Sequence, residues 1–232
     1  MITCNHVSRK FTEPSGELWA VRDISLTVED GTFLSIVGRS GSGKSTLLKM
    51  LGGLLMPTEG EVRIGDKSIY EMKDDERSDY RCNTVGFIFQ DFFLEELYTV
   101  YQNLEIVLMI AGIPETERRE RIEKALDQVG MLHKKDSKVK VLSGGEKQRV
   151  CIARAIINNP QIVFADEPCG NLDYENGQII MNLLREQCRM GKTVVLITHN
   201  REDAGNTDRI ITLQDGSIKS DETKRSVETD KK

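Results

Sequence analysis

The 232-residue chain has no pair of closely spaced cysteines and no long hydrophobic run. Its five cysteines are scattered singly, which favours reduced cytosolic thiols packed as small apolar side chains. The longest apolar stretch, IVLMIAGI at 106–113, is far shorter than the roughly 20 residues that span a bilayer. The first residues lack the basic start and apolar run of a signal peptide. These absences predict a cytoplasmic protein, whose membrane role would require a separate polypeptide.

An excess of positive charge is also absent. The formal net charge is −5, which argues against a nucleic-acid partner because such binding draws its affinity from clustered Lys and Arg. Apolar residues make up 38% of the chain and charged residues 30%, an ordinary composition for a folded domain. A chain of this length can form a stable core without disulfides or a structural metal.

Short apolar runs divide the chain into strands. Alternating residues at 2–11 and 18–28 predict an antiparallel β region, and buried runs predict strands at 33–37, 161–165, 193–198 and 209–213. Helical patterns separate the later strands, which favours an α/β fold with a mostly parallel sheet. We expect one domain over residues 2–218, with a helical insert at about 91–150, and a polar C-terminal tail at 219–232 that frays in solvent.

A glycine-rich loop follows the predicted strand at 33–37 and precedes a predicted helix from Lys44 to about Leu51. It fits G-x-x-x-x-G-K-[ST], in which backbone N–H groups surround phosphate oxygens, a lysine reaches the β- and γ-phosphates and a hydroxyl holds Mg²⁺. An ordinary Gly/Ser turn is the alternative, and the flanking strand and helix argue against it. The candidate nucleotide-binding residues are Gly38, Arg39, Ser40, Gly41, Ser42, Gly43, Lys44, Ser45 and Thr46.

Polar residues end the neighbouring predicted strands. Asp166 is positioned to support Mg²⁺, and Glu167 to polarise a water that attacks the γ-phosphate. Gln90, which closes the predicted strand VGFIFQ, is within reach of the metal or of the attacking water, and His199 of the γ-phosphate. Taken alone, each has a plain alternative: a surface loop for the two acids, a surface amide for Gln90 and a helix cap for His199.

A second glycine turn lies in LSGGEKQRV at 142–150. Ser143 and Glu146 fit the S-x-x-E capping box, which satisfies free N–H groups at the start of a helix predicted at 146–158. A cap does not require Gly144 and Gly145. Paired glycines before a helix also make an anion-binding turn, so both interpretations stay open together.

The order of these motifs resembles that of the ATP-binding-cassette (ABC) ATPases. The P-loop, the glutamine, LSGGE, ADEP with NLD behind it, and the histidine follow one another as in that family, over about residues 2–218. The resemblance implies a P-loop NTPase cassette with a RecA-like core sheet, an N-terminal antiparallel β region and a helical subdomain. It also implies ATP hydrolysis by two cassettes, either two copies of this chain or this chain and a homologue. These associate head to tail, with ATP between the P-loop of one and the LSGGE turn of the other.

The resemblance also assigns roles to single residues. Phe11 would stack on adenine with Val21 beside it, and the phosphates would lie within Gly38 to Thr46. Ser45 and Gln90 would ligate Mg²⁺ with Asp166 in support, Glu167 would be the general base and His199 the switch residue. The residues that would act on the facing copy are Ser143, Gly144, Gly145 and Asp173.

Within the family, the chain looks most similar to the LolD, MacB and FtsE group. That likeness implies a separate permease of MacB or FtsX type, a location on the inner face of the plasma membrane, and export of a peptide, lipid, lipoprotein or toxic compound. An FtsE-like regulator of cell-wall enzymes is the alternative. A soluble cassette protein acting on DNA or ribosomes fits poorly, because only about fifty residues separate Gln90 from Ser143 and the chain has one cassette.

Two further features of the sequence suggest hypotheses. Apolar residues directly after Gln90 predict either core packing or a groove for a cytoplasmic helix of the permease. Cys169 stands where the group usually has Thr, and we expect it to make activity sensitive to oxidation. The chain also has Tyr101-Gln102-Asn103 where a Glu-Asn pair is commoner in the LolD, MacB and FtsE group. The apolar residues that follow Gln90 are Phe92, Phe93, Leu94, Leu97 and Tyr98.

Overall fold

A computed structural model describes residues 1–14 and 16–224. The strands are β1 (Ile2–Glu13), β2 (Gly16–Val28), β3 (Phe33–Val37), β4 (Glu59–Ile64), β5 (Lys67–Ser68), β6 (Val85–Ile88), β7 (Ile162–Asp166), β8 (Thr193–Thr198), β9 (Arg209–Gln214) and β10 (Ser217–Thr223). The α-helices are α1 (Lys44–Leu51), α2 (Asp74–Asn83), α3 (Val100–Ile110), α4 (Glu115–Gln128), α5 (Gly144–Ile156), α6 (Tyr174–Arg189) and α7 (Arg201–Gly205). Short 3-10 helices lie at Leu132–Lys134 and Val139–Val141.

The larger sheet has six strands in the order β10-β9-β3-β8-β7-β6, and only β10 runs antiparallel to its neighbour. The prediction of a mostly parallel α/β core is confirmed. Val37 pairs with Thr198, Asp166 with Ile197, and Ile88 with Ala165. The loops that follow β3, β6, β7 and β8 therefore meet at one edge of the sheet, where parallel α/β folds bind ligands.

The smaller sheet is antiparallel, in the order β2-β1-β4-β5, which confirms the predicted N-terminal β region. Strands β4 and β5 follow α1 in the chain and were not predicted, because their mixed, half-exposed residues give only a weak alternating signal. The N-terminal strands pair so that Phe11 lies directly opposite Leu18. This pair lies at one side of the P-loop cleft described below.

Helices α3, α4 and α5 make up most of the predicted insert. On α4, Ile122, Ala125, Leu126 and Val129 are exposed by 0%, 4%, 0% and 3%, as their helical spacing predicts. Residues 91–99 form no regular element, and α3 begins after Thr99, which caps it in a box with Gln102. Helix α5 spans Gly144–Ile156, where the sequence predicts a helix at 146–158.

Two boundaries differ from the predictions. Strand β6 ends at Ile88, two residues before Gln90, because its pairing with β7 stops at Ala165. Residues 219–223 of the predicted tail belong to β10, where Asp221 forms two hydrogen bonds with Arg209 of β9. Lys224 follows β10, and the remainder of the predicted tail, 225–232, lies outside the described residues. None of the helices within residues 1–14 and 16–224 combines the length and the apolar character that crossing a bilayer requires.

Candidate nucleotide-binding site

The P-loop joins β3 to α1 through a backbone that only glycine fits. Gly43, which precedes α1, has a left-handed φ of 96°, and a Cβ there would lie 2.1 Å from the carbonyl oxygen of Ala20. Lys44 is 8% exposed, and its Nζ donates to the carbonyls of Gly38 and Arg39 at 2.9 and 3.0 Å. The Oγ of Ser42 is buried without a hydrogen-bond partner. A lysine ammonium, an unpaired hydroxyl and the free N–H groups of α1 thus surround one concave surface suited to phosphate.

This surface forms the floor of a cleft of about 750 Å³. Many of the predicted site residues line it together although they come from distant parts of the chain. They are Phe11, Ser40, Gly41, Ser42, Gly43, Lys44, Ser45, Thr46, Gln90, Glu167 and His199. The cleft brings the predicted adenine contact, phosphate loop, metal ligand, base and histidine to one place.

The end of the cleft near Phe11 has a lining that the sequence analysis did not name. Val21, predicted beside adenine, is fully buried and is not among the residues that line the cleft. Leu18 and Ala20 line the cleft instead, because successive side chains of a strand point to opposite faces. The spacing in β2 held this information, since Leu18 and Ala20 share a face that Val21 does not. The guanidinium carbon of Arg9 lies 4.8 Å from the centre of the Phe11 ring.

The metal end of the cleft contains oxygen ligands. Ser45 Oγ donates to Asp166 Oδ1 at 3.0 Å, and Gln90 lines the same cleft. Burial raises the pKa of Asp166, and the Ser45 hydroxyl partly opposes this shift. Hydroxyl, carboxylate and amide oxygens fit Mg²⁺. Among the described residues, no group of three or more His, Cys, Asp or Glu side chains could hold a metal.

Glu167 and His199 contact each other. Glu167 follows β7 with a left-handed φ of 49°, and its backbone N–H donates to Ile197 O at 3.0 Å. Its Oε2 lies 2.8 Å from His199 Nδ1. The Glu167 side chain is 16% exposed and that of His199 is 70% exposed. The arrangement holds a carboxylate next to the P-loop with an exposed imidazole bonded to it, a pairing that the sequence did not reveal.

The second glycine turn has the predicted capping box. Ser143 N–H donates to Glu146 Oε2 at 2.9 Å, and Glu146 N–H donates to Ser143 Oγ at 3.3 Å. The hydrogen bond from the Ser143 N–H is the main cause of the lowered pKa of Glu146. A Cβ on Gly145 would lie 2.1 Å from Asn176 Oδ1, whereas a Cβ on Gly144 would be no closer than 3.6 Å to any atom.

Asn176 also holds Asp173, the N-cap of α6. Its backbone N–H donates to Asp173 Oδ1 at 2.8 Å, and its Nδ2 donates to both carboxylate oxygens. These hydrogen bonds lower the pKa of Asp173. Sequence reasoning missed Asn176, since its contact with Gly145 joins segments far apart in the chain. Ser143, Gly144, Gly145 and Asp173 do not line the P-loop cleft of their own chain.

Cys169 is a free, half-buried thiol. Burial raises its pKa to about 12, and its Sγ lies 3.6 Å from Gly177 O. Because the thiolate is the species that reacts with oxidants, the raised pKa argues against the expected sensitivity to oxidation.

A protein-family model described as "ABC transporter" matches residues 21–170. The chain belongs to this family. It is 39% identical over 229 residues to the macrolide export ATP-binding/permease protein MacB of Aggregatibacter actinomycetemcomitans, covering 99% of this chain and 36% of MacB. It is 40% identical to the uncharacterized ABC transporter ATP-binding protein YvrO of Bacillus subtilis, covering 96% and 97% of the two chains. The chain thus spans about a third of the MacB relatives it matches.

Solved structures give the same result. The chain superimposes with a TM-score of 0.89 on the dimeric structure of a post-hydrolysis state of the ATP-binding cassette MJ0796 bound to ADP and Pi. That cassette is 38% identical, and the match covers 96% of this chain and 98% of the other. The family resemblance and the fold predicted from the motifs are confirmed, and the protein is an ABC-type ATP hydrolase.

Proposed function

We propose that the chain is the ATPase subunit of a membrane ABC transporter and works as a head-to-tail dimer. Each ATP lies between the P-loop of one copy and the Ser143–Gly145 turn of the other. The observation that carries this proposal is that two glycine turns each precede a helix, and in the part of the chain that the structure describes the P-loop lines the cleft while the Ser143–Gly145 turn does not. The MJ0796 cassette, described as dimeric and bound to ADP and Pi, supports it.

Different cleft residues bind different parts of the nucleotide. Adenine stacks on Phe11 against Leu18, and the phosphates accept hydrogen bonds from the backbone of 38–46. Lys44 leaves the carbonyls of Gly38 and Arg39 to place its ammonium between the β- and γ-phosphates. Ser45, Gln90 and Asp166 hold Mg²⁺, which when bound neutralises charge on the phosphate oxygens.

Glu167 and His199 prepare water for attack. The Glu167 carboxylate accepts the proton of a water in line with the γ-phosphate, while His199 fixes the orientation of that carboxylate through Nδ1. Burial of most of the Glu167 side chain keeps bulk water from competing for it. The imidazole, being mostly exposed, is free to contact the γ-phosphate when a second copy closes over it.

The Ser143–Gly145 turn, called the signature turn below, acts on the nucleotide of the facing copy. Ser143 Oγ already accepts from Glu146 N–H, which leaves its hydroxyl hydrogen free to donate to a phosphate oxygen. The backbone N–H groups of Gly144 and Gly145 and the positive end of α5 add to this anion site. Asp173, fixed by Asn176, contacts the opposite P-loop region.

A separate permease is the proposed membrane partner. Phe93, Leu97 and Tyr98 are exposed by 69%, 72% and 46%, while Phe92 and Leu94 are half-buried, so core packing accounts for only part of this segment. We propose that a cytoplasmic helix of a MacB- or FtsX-like permease covers the exposed side chains, holding the ATPase at the inner face of the plasma membrane. The MacB relatives, which carry the name ATP-binding/permease, support an export role.

The substitution Glu167→Gln tests the proposal because it removes the base and keeps the phosphate site. We expect turnover to fall at least about a hundredfold and an ATP-dependent dimer to accumulate in size-exclusion chromatography. Glu186→Gln, at an exposed α6 residue paired with Arg189, is the matched control and should behave as the wild type. A Glu167→Gln protein that hydrolyses ATP at the wild-type rate would reject the assignment.

A further inference from the structure

One face of α5 holds the segment that follows Gln90. Lys147 Nζ lies 3.1 Å from Glu96 Oε1, and Cys151 Sγ donates to Phe92 O at 3.2 Å. Arg154 donates to Phe92 O at 2.9 Å through one nitrogen and to Phe93 O through the other. The three α5 residues are spaced at i, i+4 and i+7, so they lie along one stripe of the helix.

The segment held in this way is strained. Phe93 has a φ of 46°, in the left-handed region that a bulky side chain rarely adopts. Its ring is 69% exposed and meets Phe89 only edge-on, with centroids 5.6 Å apart, so burial does not impose this conformation. Arg154 bonds the carbonyl before the Phe93 nitrogen and the carbonyl of Phe93 itself. These two hydrogen bonds hold the backbone on both sides of the Phe93 Cα and so oppose its relaxation.

The same helix begins at the signature turn. Arg154 is nine residues beyond Gly145, about 14 Å along the axis at the standard rise. In the segment that Arg154 holds, Phe92 is two residues after Gln90. A Cβ built on Gly170 would lie 3.4 Å from Gln90 Nε2, and Gly170 is three residues after Glu167. Helix α5 therefore connects the turn proposed to serve one nucleotide with the loop that positions Gln90 for the other.

We propose that Arg154 is a positioning residue for Gln90, a role that rests on the proposed head-to-tail dimer. Its guanidinium fixes the strained Phe92–Phe93 turn to α5, which keeps Gln90 in the lining of the P-loop cleft. When the signature turn engages the nucleotide of the facing copy, a shift of α5 moves the Phe92–Phe93 turn with it. Arg154 is thus the contact through which occupation of one nucleotide site biases the geometry of the other.

Arg154→Lys tests this role. A lysine presents one ammonium in place of the planar fork and cannot bond both carbonyls in the same geometry. Hydrogen exchange of the nucleotide-free protein should rise roughly tenfold at residues 90–95, the change expected for losing a charged hydrogen bond, and stay unchanged in the core sheet. Arg118→Lys is the control, because Arg118 also donates to a carbonyl in the helical subdomain, that of Ile113 at 2.8 Å.

Kinetics supply the second measurement. We expect Arg154→Lys to lower kcat roughly tenfold while KM for ATP stays within about twofold, since the phosphate loop is untouched. The inference is overturned if exchange at 90–95 is unchanged, if kcat is unchanged, or if exchange rises uniformly with a lowered Tm. Arg154→Ala is compared in the same way only if it folds, and Arg154→Lys decides the outcome otherwise.

The two proposals fail differently. The exchange experiment contains no nucleotide, so its result does not depend on dimer formation. If Glu167→Gln forms no ATP-dependent dimer, the proposed function fails whatever the Arg154 result. If that dimer forms and Arg154→Lys leaves exchange at 90–95 unchanged, only the positioning role fails.

Discussion

The two glycine turns of this molecule are constrained in different ways. Gly43 in the P-loop has a left-handed backbone and meets the Ala20 carbonyl, so its own chain demands a glycine. Gly145 in the signature turn is likewise constrained by Asn176, but a Cβ on Gly144 would make only an ordinary van der Waals contact, 3.6 Å from Leu172 Cδ2. Among the described residues, close contacts require glycine at positions 43 and 145, whereas the surroundings of Gly144 would accept a Cβ. Substitution of Gly144 therefore tests the proposed contact with a second copy with little disturbance of the single chain.

Lys44→Ala should break the P-loop side of this comparison with the largest effect. The substitution removes the ammonium that reaches the phosphates, and ATP affinity should fall at least about a hundredfold. Isothermal titration with ATP measures the loss. Lys49→Ala, at an exposed residue of the same helix, is the control. Undiminished ATP binding by Lys44→Ala would contradict the P-loop assignment.

Substitutions at the two signature glycines sharpen the comparison. Gly144→Ala should raise monomer stability by about 0.5–1 kcal/mol, because alanine favours the helix and the Cβ has room, yet weaken ATP-dependent dimer formation roughly tenfold. Gly145→Ala should lower monomer stability by about 1–3 kcal/mol, because Asn176 must move. Thermal unfolding and chromatography in the Glu167→Gln background measure the two effects.

The opposite results for these two variants would contradict the comparison. If Gly144→Ala dimerises as well as its parent, the proposed contact between Gly144 and the nucleotide of a second copy is wrong. If Gly145→Ala is as stable as its parent, the contact with Asn176 does not constrain the turn.

A smaller effect is expected at the base end of the cleft. Leu18→Ala should lower ATP affinity roughly fivefold, because it removes an apolar contact worth about 1 kcal/mol. Val21→Ala should leave the affinity unchanged and lower stability by about 1–2.5 kcal/mol, as expected for a truncated core side chain. Binding titration and chemical unfolding separate the two. An equal loss of ATP affinity in both variants would support the prediction that Val21 lies beside adenine.

Local patterns made most of the fold predictable. The run FLSIV forms β3 over Phe33–Val37 with the predicted bounds, because an apolar stretch between polar residues has one way to be buried. The Ser143–Glu146 cap was predictable because both partners lie within one helical turn. The convergence of the polar loops also followed from these patterns, since parallel strands place their carboxyl ends at one edge of the sheet.

Contacts between distant segments were not predictable. Arg154 bonds a carbonyl 61 residues away, and no periodicity in either segment reveals that partner. The contact between Glu167 and His199 spans 32 residues and depends on the backbone turn at Glu167. The burial of Val21 is of a different kind, because the alternation of β2, visible in the sequence, places its side chain on the face opposite that of Leu18 and Ala20.

Cross-linking between two copies tests the central claim most directly. A chain with Ser40→Cys and Ser143→Cys, in the Glu167→Gln background, is treated with a short thiol cross-linker with and without ATP. Both serines are exposed in the single chain, so the cysteines are accessible. The account predicts ATP-dependent joining of two chains through these positions. Failure to join them with ATP bound, while chains that carry only one of the two introduced cysteines still label at that position, would contradict it.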